Sequence, residues 1–398
     1  MTGTASYLAG IEANSVQLSY APEATWGTLP ATTFQALRMT GESLAGKKTR
    51  ARPSEIRTDA QVSAAITQSK IADGAINFAL SYGTYDDLLA SLFNADWSAD
   101  LNLSGSSGDI AFAASGNQIT STTSGKFTTV QVGQWIKVSG CTTSSGANNG
   151  RMRVSAKPDN QTLTIAAGKT LVNETPAGSA VKIHGSMIRN SNVFHSVYMQ
   201  KMLSSSLYLR YPGCQITSMT LSQQQGKFVD GSFNVMAQQE AKATTDASTG
   251  GVTAAPTGRV IDTVADFLEL QVDNAALTGT VQALNLNIQK QGAAADYGIG
   301  SSAAQGMRIG LLELSGKFEV FFKDFSLYDR FNTEALGILS WALQDLAGSS
   351  YVFTLPSFTI MNPAIVAGGV GTPVVASFDL EANPDPTLGM TIQIDRFQ

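Results

Sequence analysis

Few residues in this chain are of the kinds that make or break covalent bonds. Of 398 residues, two are histidines and two are cysteines. His184, His195, Cys141 and Cys214 show none of the spacings that ligate zinc or iron. Neither histidine sits in the sequence context of a nucleophilic triad, and His195 reads as one position of a strand around Val193 to Met199. The best carboxylate grouping is Ser377 to Ala382, where Asp379 and Glu381 alternate with Phe378, Leu380 and Ala382. Two carboxylates could share acid–base work. Placed two apart on one sheet face, with no histidine or aromatic groove beside them, they read instead as an anionic wall. Glu313 falls in a similarly alternating stretch. Gly298-Ile-Gly300-Ser-Ser-Ala303 has the lettering of a dinucleotide fingerprint, but that motif needs a strand before it and a helix after it. Here it lies in a polar loop. No catalytic, cofactor or metal residue is expected.

A second grouping is basic. Lys47, Lys48, Arg50, Arg52 and Arg57 hold five of the 26 Lys and Arg residues within one short stretch. Three readings are open: a solvated mobile hairpin tip, a nucleic-acid patch that lacks interleaved aromatics for stacking, or an arm that docks on an acidic surface. Long loops in compact domains are usually functional or disordered. The chain's net charge of -5 and pI near 5.2 argue against a broad grip on nucleic acid and supply an acidic surface for such an arm.

Strands must carry these groups. Ser63 to Thr67, Ala75 to Leu80, Ile216 to Leu221, Ser232 to Ala237, Lys317 to Phe322 and Pro373 to Ala382 place apolar side chains at period two. A short helix follows Gly83, with Thr84 as its cap and Tyr85, Leu88, Leu89, Leu92 and Phe93 on one face. The pattern recurs. Gly74-Ala-Ile-Asn-Phe-Ala-Leu leads to Thr84-Tyr-Asp-Asp87 as Gly316-Lys-Phe-Glu-Val-Phe-Phe leads to Ser326-Leu-Tyr-Asp329. Gly226 to Ala237 likewise matches Gly371 to Ala382 without a gap. Such self-similarity implies a duplicated β fold with one helix per copy. Each copy has a long polar loop, at Ser43 to Gln61 and Gln291 to Gly306.

The copies differ by an insertion of about Ser104 to Met187, Ser/Thr/Gly-rich and more basic than acidic. It has strand signals at Trp135 to Val138, Met152 to Ala156 and Leu163 to Ala166, and turns at Asn149-Gly150 and Pro158-Asp159. The expected divisions are 1–103 and 188–240 for the first copy, 104–187 for an inserted β domain, 241–258 for a linker and 259–398 for the second copy. Only 14% of residues are charged, well under the usual quarter or so. No run of about 18 apolar residues suggests a membrane span, and Met1 to Gly10 lacks the pattern of a secretory signal. The sequons at Asn102, Asn160 and Asn173 therefore carry little weight. Two cysteines are too few for a disulfide scaffold.

Four segments, in order, carry a resemblance. They are Tyr20-Ala-Pro-Glu23-Ala-Thr-Trp26-Gly-Thr-Leu-Pro30, the Tyr85-Asp-Asp-Leu-Leu helix, Tyr208 to Val235 with Gly213 and Gly231, and Phe378 to Arg396 with Asn383-Pro-Asp385-Pro. Together they resemble the major tail tube proteins of long-tailed noncontractile bacteriophages over nearly the whole chain except the insertion. The resemblance implies a virion tail protein, assembled in the host cytoplasm, whose rings of three duplicated subunits or six subunits stack into a DNA conduit. It further implies tail terminator, tape measure and baseplate-type partners, and DNA that passes without specific binding. In its terms Lys47, Lys48, Arg50, Arg52 and Arg57 belong to an inter-ring arm, Asp379, Glu381, Glu313 and Asp230 face an acidic bore, and the insertion is a surface decoration domain. The residues leave two other classes open: a virion surface protein binding a receptor or glycan through the insertion, and a β-rich carbohydrate-active enzyme, for which no acid–base pair in an aromatic groove is seen.

Overall fold

A computed structural model describes residues 10–105, 108–175, 180–277 and 280–398. Apart from Gly10, the opening segment Met1 to Gly10 lies outside the described residues. Half of the chain is strand and 7% helical, so the fold is mainly β. Its spine is one antiparallel sheet of eight strands, made from β1 (Ala45–Ala51), β2 (Ile66–Ala79), β3 (Leu207–Gln224), β4 (Asp230–Ala237), β5 (Val281–Gln291), β6 (Leu311–Phe321), β7 (Ser350–Val366) and β8 (Val375–Ala382). Their spatial order is β1-β2-β4-β3-β5-β6-β8-β7. The first four strands belong to the first copy and the last four to the second, in the same order. The two copies join where Ser218 to Gln224 of β3 pairs with Gln289 to Ala283 of β5.

The repeat is preserved down to register. Ile76 faces Phe233 across β2 and β4, and the matching residues Phe318 and Phe378 face each other across β6 and β8. The Phe318 and Phe378 rings stack at 5.1 Å, and in the first copy Phe78 stacks on Phe233 at 4.6 Å. A Cβ at Gly74 would lie 2.5 Å from the Ser43 carbonyl, and one at Gly316 would lie 2.6 Å from the matching Asn285 carbonyl. That close backbone approach explains why glycine stands at both places.

One face of the spine is covered by a second layer. In the first copy Gln17–Pro22 pairs with Val197–Ser204, which pairs in turn with the start of β3. In the second, Phe267–Val272, Gly337–Gln344 and Gln393–Phe397 pair around the start of β7. Strands β3 and β7 are long enough to serve both layers, so a single apolar core runs between the layers and across both copies. Helix α1 (Asp86–Phe93) buries Leu88, Leu89, Leu92 and Phe93 in that core, as its periodicity demands. Helix α2 (Ser326–Thr333) buries only Leu327. Both helices end on a left-handed residue, Asn94 at φ 50° and Glu334 at φ 48°. In both, the next N–H returns to the carbonyl five residues back, Ala95 to Ala90 and Ala335 to Arg330.

Several local expectations are corrected. Thr84 does not cap α1: its hydroxyl bonds Ser81, and Tyr85 occupies the cap position without a side-chain bond. In α2 the matching Ser326 is already the first helical residue, so the Ser/Thr-x-x-Asp strings are not equivalent helix starts. Residues 45–51 of the first loop form β1, and Ser63 to Ala65 precede β2, so the loop proper is 52–65. The second loop contains a small hairpin, Ala294–Asp296 with Gly306–Arg308. His195 precedes its strand, which begins at Val197. The stretch read as a linker is tied down: Ala241–Ala243 pairs with β3, and Val252–Thr253 pairs with Phe34–Ala36.

Between α1 and Val197 the chain builds a seven-stranded sheet from Leu103 to His184. It has its own core around Ile119, Ile136, Val154 and Leu163. Although it interrupts the first copy, this sheet lies on the outer layer of the second. Trp135 packs with Ala342, Val352 and Phe397, and its indole N–H donates to Thr354 at 3.0 Å. Its backbone N–H donates to Asp395 at 3.0 Å. Arg151 donates to Gln344, Arg153 to Asn274 and Lys137 to the Gly348 carbonyl.

Candidate functional site

The uncovered face of the spine is where the sequence-selected carboxylates fall. Pairing partners in a sheet share a face. The row Asn77, Ser232, Thr220, Asn287, Ser315, Glu381 therefore runs across six strands on one side. Asp230, Ser222, Asn285, Lys317 and Asp379 make the next row. Glu313 sits in a third, opposite Gln289. Asp379, Glu381, Glu313 and Asp230 thus lie on one face, Glu313 as a member of β6 itself. Asp73 and Glu319 join them, and so do Lys47 and Lys317, which the sequence did not single out as facing them. Lys47 forms an ion pair with Asp73, and Lys317 stands 3.5 Å from Glu319.

Neutral amides and hydroxyls fill the spaces between charges. Thr220 and Ser232 share a bond of 2.8 Å, Ser222 donates to Asn285 at 2.8 Å, and Asn234 donates to Ser218 at 2.7 Å. Asn362 donates to Asp379 at 2.9 Å and Gln289 to Glu313 at 3.3 Å. The result is a wet, mildly acidic sheet surface whose side chains bond one another. These exposed charges act over roughly one Debye length, about 8 Å at physiological salt.

The two outer strands of the spine give the sheet its edges. Every residue of β1 is exposed, and beyond Ile360 strand β7 leaves Met361, Ile365 and Val366 open to solvent. Beyond β1 projects the 52–65 loop. The five basic residues do not make one patch there. Arg50 donates to the Ala65 carbonyl and Arg52 to that of Ser63, while Arg57 grips Asp59 with two bonds. Lys47 is held by Asp73, and Lys48 has no polar partner among the described residues. The loop also exposes Ile56 and Val62, and Ile66 at the start of β2 is exposed beside it, apolar residues that a count of charges missed. In the second copy the corresponding loop folds back onto β2. There Ser302 accepts the Lys70 N–H at 2.6 Å, and Tyr297 donates to the Lys70 carbonyl.

Burial pushes the Cys141 thiol up to about 12 and that of Cys214 well above its ordinary value, which makes both poor nucleophiles. His195 lies 3.6 Å from Asp96. Among the described residues no three His, Cys, Asp or Glu side chains gather where a metal could be held, and no helix is long and apolar enough to cross a membrane.

Two of the segments that carried the resemblance, Tyr20 to Pro30 and Tyr208 to Val235, meet at one bend. Glu23 accepts bonds from Ser196, from the Gly27 N–H and from the Gly213 N–H, and the Trp26 indole donates to the Gly213 carbonyl. Gly213, at φ 64°, is where β3 passes from one layer to the other. Residues 13–382 match the sequence profile of the phage tail tube protein family. The chain belongs to that family. No curated protein matches it. As a tail tube protein it is a structural component of a phage tail, and its family implies self-assembly into a tube and association with other tail proteins.

Proposed function

We propose that this tail tube protein closes with copies of itself into rings by joining the two edges of its spine, so that the open polar face lines a continuous bore. The observation that carries this reading is the spine itself: eight strands with a covered face, a mildly acidic open face and an exposed strand at each end. An exposed strand edge is an aggregation hazard unless paired, and ring closure removes it. Asp379, Glu381, Glu313 and Asp230 would face the bore together with Asp73 and Glu319. A wall poor in free cations makes few phosphate contacts and lets DNA slide rather than stick.

Rings of three duplicated subunits or of six subunits stack into the tube, with terminator, tape measure and baseplate-type proteins at its ends. The 52–65 arm reaches the neighbouring ring, where Ile56 and Val62 are buried and Arg52 and Arg57, with Arg50 at its base, supply orientation. The inserted sheet of 104–187, held on the outer layer, decorates the outside. Residues 1–103 and 188–240 act as one tube fold and 259–398 as the other, joined through 241–258. Assembly takes place in the host cytoplasm. Negative-stain microscopy of the concentrated protein tests the scheme: hollow tubes are expected, and only rings once 52–65 is replaced by a short Gly-Ser turn. Long tubes from the shortened protein would refute the role of the arm, and solid monomers from the intact one would refute the tube.

A further inference from the structure

The junction inside one chain is a template for the junction between two. At the internal seam Lys290 of β5 reaches under α1. Its ammonium donates to the Ser91 carbonyl at 2.6 Å and to the Asn94 side-chain oxygen at 2.9 Å. Lys290 stands on β5 where Lys48 stands on β1, because Leu286 and Leu44 occupy matching positions opposite Gly316 and Gly74. Asn94 ends α1 in the left-handed region as Glu334 ends α2, with the same returning N–H from the alanine that follows. Resting on the ring reading above, we infer that Lys48 of one copy forms an ion pair with Glu334 of the next, beside the carbonyls of the last turn of α2.

Three observations outside the alignment support this contact. Lys48 and Glu334 are both exposed and lack a polar partner among the described residues. Helix α1 is covered from the second copy, where Tyr351 donates to Asp86 at 2.6 Å and Arg396 pairs with Asp86. Among the described residues none of the first copy covers α2 in that way, and its flanking Phe325 and Leu336 are 59% and 64% exposed. Finally, the edge of β1 before Lys48 is capped from within: Lys201 and Tyr211 donate to the Leu44 carbonyl, and Glu240 accepts the Gly46 N–H. The backbone ladder available to a neighbour is therefore shorter than the internal one, which leaves more of the joint to the charge pair. A cation at a helix C-terminus is favourable in its own right, and an acidic cap adds to it. The internal pair uses a neutral amide at the same place.

Charge exchange tests the contact. Lys48→Glu or Glu334→Lys alone should lower the yield of rings and tubes at low salt by tenfold or more, each chain remaining folded by circular dichroism. The double exchange should restore the yield to within twofold. In a separate arm, Lys48→Cys and Glu334→Cys in one chain, treated with a short bismaleimide, should give covalent ladders that end at the ring. Single exchanges that assemble normally, a folded double exchange as poor as the singles, or no ladder from intact rings would overturn the contact while leaving the ring standing. Wild-type protein that forms no rings would overturn both.

Discussion

Asp395 joins the inserted sheet to the outer layer of the second copy, and it does so as a fully buried carboxyl. Burial pushes it up to about 8, against the pull of Gln393, the Trp135 N–H, Arg189 and Arg153. An exposed aspartate titrates near 4. Between those values the closed junction keeps a proton that the opened junction has released. Stability of the junction is therefore fully present below about pH 4 and is lost as pH rises toward 8. Each pH unit in that window costs at most about 1.4 kcal/mol, a factor of about ten in the opened population. The carboxylates held below their usual range, among them Asp109, Glu174, Asp246 and Asp262, change their contribution only in stronger acid, so they do not disturb it. Hydrogen exchange read by mass spectrometry on peptides covering Trp135–Ser139 and Gln393–Phe397, corrected for intrinsic rates, measures this opening. From pH 5.5 to 7.5 the opened fraction should rise about a hundredfold in the wild type, and Asp395→Asn should flatten the slope. A pH-independent wild type, or an equal slope in the variant, would refute the linkage.

Gly213→Ala should cost about 1–2 kcal/mol for the left-handed backbone, and more because the new Cβ would lie 2.6 Å from the Trp26 indole nitrogen. Gly226→Ala, at φ 77° with nothing within 4 Å, is the comparison, and urea titration should rank the two in that order. Lys290, pushed down to about 7 by burial, has the opposite sign to Asp395: the opened seam binds the extra proton, so β5 amides should gain protection from pH 7 to 9, and Lys290→Met should abolish that gain. Replacing both Asp379 and Glu381 with Lys should leave tube formation intact by microscopy but slow genome delivery by otherwise complete particles, and undiminished delivery would remove those residues from the bore.

The parts of the fold legible in the sequence are those with one buried face. Phe233, Val235 and Ala237, or Phe378 and Leu380, write their alternation because the other side meets water, and α1 writes its stripe because the core takes all of it. Strand β1 has no buried face at all, so Ala45 to Ala51 read as a charged loop. Asp73 was overlooked for a related reason: it is the lone acid in its strand, and only register across strands gathers it, and Glu319 six residues beyond Glu313 in β6, on the face of Asp379 and Glu381. The seat of the inserted sheet on the second copy was beyond reach, since Trp135 and Asp395 are distant in sequence and pattern alone carries no information on that contact. Helix α2 shares the C-terminal geometry of α1 but not its burial, and it begins at Ser326 itself while the matching Thr84 lies two residues ahead of α1, a shift that the matching strings do not show.

Fusing two folds into one polypeptide has a kinetic consequence at the β3 to β5 join. That join forms at the high effective concentration of a tethered pair, without a diffusional encounter. In the ring proposed above, only alternate joints then have to be found by collision, and these would carry the opposite full charges of Lys48 and Glu334 rather than a lysine and an amide. Long-range attraction is thus reserved for the meetings that need steering, and cylinder growth should quicken as ionic strength falls while the fold of each chain stays the same.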